Sequence, residues 1–92
     1  MHNERGALRL LSVGLKQLGL TSKTLKSLPK GAPEKKALIW YIRCKTTVSN
    51  DWLSEHSFCG HPDNIPRCIN EVKDRKNKIL NRLVKVILIY EY

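Results

Sequence analysis

The sequence predicts an all-α fold: a small bundle of five or six short helices containing a helix-turn-helix. Three observations carry this. Apolar residues recur at helical spacings of three and four through most of the chain. Helix-starting and helix-stopping residues punctuate it at short intervals. Ninety-two residues, 41% of them apolar, suffice for one domain with one modest core.

The elements follow in order. Asn3 caps a first helix whose stripe is Leu8, Leu11, Leu15 and Leu18, and Gly19 stands where a C′ glycine stops it. Thr21 caps a short second helix, with Leu20 and Leu25 placed as a hydrophobic staple. Pro29, Gly31 and Pro33 close that segment. The third helix starts at Pro33, with Glu34 at its positive end, and runs to about Lys45. Ala37 to Ile42 is apolar all round, so this helix belongs at the centre. Ser49 caps a fourth helix, with Val48 and Leu53 as a second staple, ending near Phe58. Gly60 permits a tight reversal. A fifth helix carries Ile65, Cys68, Ile69 and Val72. Pro66 belongs in its first turn and disfavours helical geometry at Ile65, so the regular helix is expected to start close to Pro66. The stretch from Lys78 reads as a helix to about residue 88, although Val84 to Tyr92 also has the β-branched and aromatic content of a strand.

The expected organisation is one domain over 1–92. It has N-terminal helices in 1–31, a helix-turn-helix core in 33–74 and a C-terminal helix or tail in 77–92. In that core Trp52, Leu53, Phe58, Ile65 and Ile69 join Leu38 and Ile42, and Ser54 is small enough for two helices to cross closely.

Charge narrows the partners. Seventeen Lys and Arg oppose eight Asp and Glu, for a net +9 and a pI near 9.8. Such a field attracts polyanions. No apolar run is long enough to span a bilayer, and the N-terminus lacks a signal-peptide pattern. Three cysteines, Cys44, Cys59 and Cys68, cannot pair completely, which fits reduced thiols and a cytoplasmic setting.

Leu18-Gly19-Leu20, Lys30-Gly31-Ala32, Thr46-Thr47-Val48-Ser49, Trp52-Leu53-Ser54-Glu55 and Cys59-Gly60 occur in an ordered series. The stretch Leu18 to Val72 thereby resembles the C-terminal helix-turn-helix region of REP-associated tyrosine transposases and their relatives. Departures are Ser57 in place of a core leucine, Cys59 for methionine, Ala32 for an acidic cap, and Pro66 for a small polar residue. The resemblance implies an accessory DNA-binding domain. The nuclease domain of that family uses a His-apolar-His pair and a nucleophilic tyrosine. No His-x-His occurs here, and Tyr41, Tyr90 and Tyr92 read as packing or surface residues.

The expected function is therefore sequence- or structure-selective binding of duplex or hairpin DNA, without catalysis and without a cofactor. Arg67, near the start of the recognition helix, is the first candidate to fork onto guanine or a phosphate. Asn64 and His61 are placed to reach phosphates from the turn. Asn70, Lys73 and Lys76 follow Arg67 at spacings of three, and Arg43 and Lys45 end the preceding helix. The alternative function is a protein-interaction module. In it the apolar residues Ile79, Leu80, Leu83, Val84 and Val86 to Ile89 pair two copies. RNA binding ranks third, because few aromatics sit among the basic residues. His56, Cys59, His61 and Cys68 have zinc-binding side chains, but Cys59-x-His61 is too tight for a usual knuckle, so no metal is expected.

Overall fold

A computed structural model describes residues 3–89, and the side chains of 4–88. The chain forms six helices: α1 (Asn3–Gln17), α2 (Ser22–Ser27), α3 (Pro33–Lys45), α4 (Asn50–Ser57), α5 (Asn64–Asp74) and α6 (Lys78–Ile89). No strand occurs among the described residues, so the segment from Val84 to Ile89 is helical. The tail 90–92 lies outside the described residues. So does the side chain of Asn3, on which the cap of α1 was expected to rest.

Local chemistry sets most of the boundaries. Gly19 takes φ +73°, Leu20 N donates to Leu15 O at 2.8 Å and Gly19 N to Lys16 O at 3.1 Å. This pair of bonds is a Schellman closure, which satisfies the last carbonyls of α1. Thr21 accepts from Thr24 N, and Ser49 accepts from Trp52 N, each at 3.1 Å. Asn77 caps α6 by accepting from Ile79 N at 2.9 Å and Leu80 N at 3.2 Å.

Helix α3 is the centre, and α1, α4, α5 and α6 all pack on it. Its Ala37, Leu38, Ile39, Tyr41 and Ile42 are buried, and only Trp40 in that run is half-buried. From α6, Leu80 and Ile87 are buried, while Leu83, Val84 and Leu88 lie half-buried against the core. Leu80, Leu83, Val84, Ile87 and Leu88 thus face this chain's own core, whereas Ile79 is exposed.

Two expectations need correction. Leu8 is exposed, and the buried face of α1 is Ala7, Leu11, Gly14 and Leu15. A Cβ on Gly14 would meet Leu38 Cδ2 at 2.4 Å, so α1 and α3 approach closely at small residues, which turns Leu8 to the rim. Secondly, α5 starts at Asn64 rather than at Pro66. Pro66 occupies the first turn, but Ile65 is helical and fully buried. Its burial outweighs the steric bias that a following proline imposes.

Candidate nucleic-acid interface

Helices α4 and α5, with the connection 58–63, make the helix-turn-helix unit. That connection is longer than the three or four residues common in such units. Three features shape it. Phe58, the C-cap of α4, takes φ +59°, and Gly60 takes φ +95°. Ser57 is buried and turns its hydroxyl back to Leu53 O at 2.5 Å. A buried polar side chain thus satisfies its own donor, and Phe58 packs half-buried against the core.

The third feature is Lys35, which no sequence pattern singles out. It is 1% exposed, and its ammonium donates to Leu28 O at 2.9 Å and to Phe58 O at 2.7 Å. One side chain of α3 thereby ties the end of α2 to the end of α4 and fixes where the turn begins. Burial holds its pKa below the ordinary lysine value; Cys59 opposes that shift and Lys30 adds to it. Nothing in the sequence separates Lys35 from Lys36, which lies half-buried and pairs with Glu71 of α5 at 2.6 Å. The Glu71 Oε2 atom is itself buried, and this contact is an ion pair without hydrogen-bond alignment.

The outward face of α5 is Pro66, Arg67, Asn70, Lys73 and Asp74, all exposed. Arg67, Asn70 and Lys73 therefore stand in one row. Lys76 does not continue it, because α5 ends at Asp74 with Arg75 in the left-handed region, and Lys76 lies in the connection, near Asp74 at 3.8 Å. The other candidates are placed differently. Asn64 donates from Nδ2 to Cys59 O at 3.2 Å, so it braces the turn. His61 is exposed, and its Nδ1 accepts from Asp63 N at 3.1 Å. Arg43 bonds Asn50 Oδ1, which joins the end of α3 to the start of α4. Lys45 is exposed at the end of α3, away from the row in sequence and in element.

Beside the start of α5 lies a cleft of about 250 Å³ lined by Lys30, Lys36, Cys59, Asn64, Arg67 and Cys68, among others. Lys30 lies over Gly60, where an added Cβ would meet its Cδ at 3.2 Å. Both thiols are buried, and burial together with Cys59 raises the pKa of Cys68. His56 stacks on Trp52 at 3.9 Å, with its Nδ1 2.9 Å from Trp52 O. Among the described residues no group of three or more His, Cys, Asp or Glu could hold a metal ion, and no helix is long and apolar enough to cross a membrane. Tyr41 is buried in α3, whereas Tyr90 and Tyr92 lie outside the described residues.

Comparison of the chain with protein-family models, with curated proteins and with solved structures finds no match.

Proposed function

We propose that this chain binds DNA through its helix-turn-helix, with α5 as the recognition helix, and that it is not catalytic by itself. The observation that supports this reading is the exposed row Arg67, Asn70 and Lys73 on α5. A rod held outward over a shared core fits a major groove, and those side chains have the donors that base edges and phosphates accept. The net charge of +9 supplies the long-range attraction.

The row predicts two separable responses. Affinity for a fluorescent duplex falls steeply with salt, because phosphate contacts release counterions. Arg67→Ala leaves the circular-dichroism melt close to the parent's, because the side chain is exposed. It weakens duplex binding by about 1–3 kcal/mol if the guanidinium reads a base edge. Duplex and hairpin titrations on parent and variant measure both. A parent that fails to bind either DNA at low salt removes the reading. An Arg67→Ala protein that binds like the parent removes α5 as the recognition helix.

A further inference from the structure

Residues 73–85 hold six Lys and Arg against one acid, Asp74, which is more than half of the chain's net charge in thirteen residues. Lys78, Arg82 and Lys85 stand at spacings of four and three on α6 and are all exposed, so they form one stripe on one side of the helix. The core claims the other side through Leu80 and Ile87. No acidic residue occurs in α6 to neutralise the stripe. Arg75 and Lys76, in the connection to α5, are exposed as well.

A groove of about 450 Å³ joins this stripe to the recognition helix. Lys73 from α5, Arg75 from the connection and Lys85 from α6 line it, over a floor that includes Trp40, Val84 and Leu88. Arg75 is held in place by its own backbone. It takes φ +58°, its N–H donates to Val72 O at 3.3 Å, and its carbonyl accepts from Asn81 Nδ2 at 2.9 Å. The junction between α5 and α6 is thus a built corner with cations on both sides.

We infer that the α6 stripe, with Arg75, is a second DNA contact that grips the sugar-phosphate backbone next to the site read by α5. This rests on the reading proposed above and extends it. The charges are lysines and arginines on an even helical spacing, suited to a repeating line of phosphates. The stripe carries no Asn or Gln, the side chains that pair with adenine edges. Its contribution is independent of base sequence. Lys73 belongs to both surfaces, because it ends the row on α5 and lines the groove.

The test compares two triple variants of equal charge. One is Lys78→Gln, Arg82→Gln, Lys85→Gln. The other is Lys16→Gln, Lys23→Gln, Lys26→Gln, whose three exposed lysines lie on α1 and α2. Circular dichroism checks that both fold, and Arg82→Gln alone is the milder version. Duplex titrations then give the slope of log affinity against log salt. The α6 triple variant is expected to make that slope shallower by about 2 to 3, and Arg82→Gln by about 1, because each phosphate that a cation neutralises adds roughly 0.9 to the slope. The ratio of affinities for a preferred and a scrambled duplex stays near the parent value. The α1–α2 variant keeps the parent slope. Equal changes in both triple variants mean that only net charge matters and overturn the inference. So does an α6 variant with the parent slope, while α5 binding stands in either case. A parent without DNA affinity removes both proposals.

Discussion

Lys35 shows at the scale of one residue how this small core handles a charge. Its ammonium exchanges bulk water for two backbone carbonyls, those of Leu28 and Phe58. Both carbonyls belong to helix C-caps, where orphan acceptors and the negative end of the dipole favour a cation. Lys35→Met keeps the aliphatic stem but leaves both oxygens without this donor. It is expected to cost about 1–3 kcal/mol near neutral pH, the usual penalty for stranding buried polar groups. The pH dependence has a definite sign. Burial lowers the folded-state pKa below that of the unfolded chain, so the unfolded chain binds more protons between the two values. Stability contributed by this residue therefore rises with pH through that window, up to the ordinary lysine value of about 10.4. Urea melts of parent and Lys35→Met across that range should show the gap widening in favour of the parent. A gap that narrows, or a variant as stable as the parent, excludes this role for Lys35.

At the scale of elements, two glycines of α1 make opposite predictions. Gly6 has nothing within 4 Å of an added Cβ, whereas Gly14 has Leu38 Cδ2 at 2.4 Å. Gly6→Ala should stabilise by about 0.5–1 kcal/mol through helix propensity alone. Gly14→Ala gains the same increment but overpacks a leucine that is fully buried, at a cost of about 1–3 kcal/mol. It should be destabilising on balance, and Leu38→Ala in the same chain should relieve the clash and give a non-additive double mutant. Additive effects would mean that α1 and α3 do not touch there. This contact also marks the limit of what the sequence discloses. Caps at Thr21 and Ser49, the proline start at Pro33 and the glycine stop at Gly19 depend on neighbours a few residues away, and all four were readable. The face of α1 depends on what packs against it. Large residues nominated Leu8, but close packing selected Ala7 and Gly14. The site divides in the same way. Arg67, Asn70 and Lys73 were readable as a row because α5 is regular. Asn64 and Arg43 looked equally free, yet the fold uses them to brace a turn and join two helices. The α6 stripe is hidden in the sequence by the apolar residues that surround it. Charges three and four apart become one surface only when the opposite side of the helix is buried.

For the whole molecule, the excess of positive charge should set folding and binding against each other in salt. The chain measures 34 × 31 × 24 Å by its principal extents and carries a net +9. At about 0.01 M salt the screening length is roughly 30 Å, so nearly every cation feels every other; at about 0.1 M it is roughly 10 Å, and only neighbours interact. Few acids are available to offset the repulsion, and the Lys76–Asp74 contact is a loose, exposed pair at 3.8 Å that contributes little. The densest repulsion is in residues 73–85, where α5 and α6 meet. Raising salt across this range should therefore raise the melting temperature of the free protein. On the DNA-binding reading proposed above, the same change should lower the affinity for a duplex, because the counterions that phosphate contacts release are then released into a more concentrated salt solution. Neutralising Lys78, Arg82 and Lys85 to glutamine should diminish both responses, leaving a free protein whose melting temperature depends less on salt. Calorimetric or dichroism melts at the two salt levels, run on parent and variant, check this without any nucleic acid present. A parent whose melting temperature falls as salt rises would show that attractive pairs, rather than repulsion among the cations, dominate its electrostatics. The stripe on α6 would then be compensated within the fold and not held open for a partner.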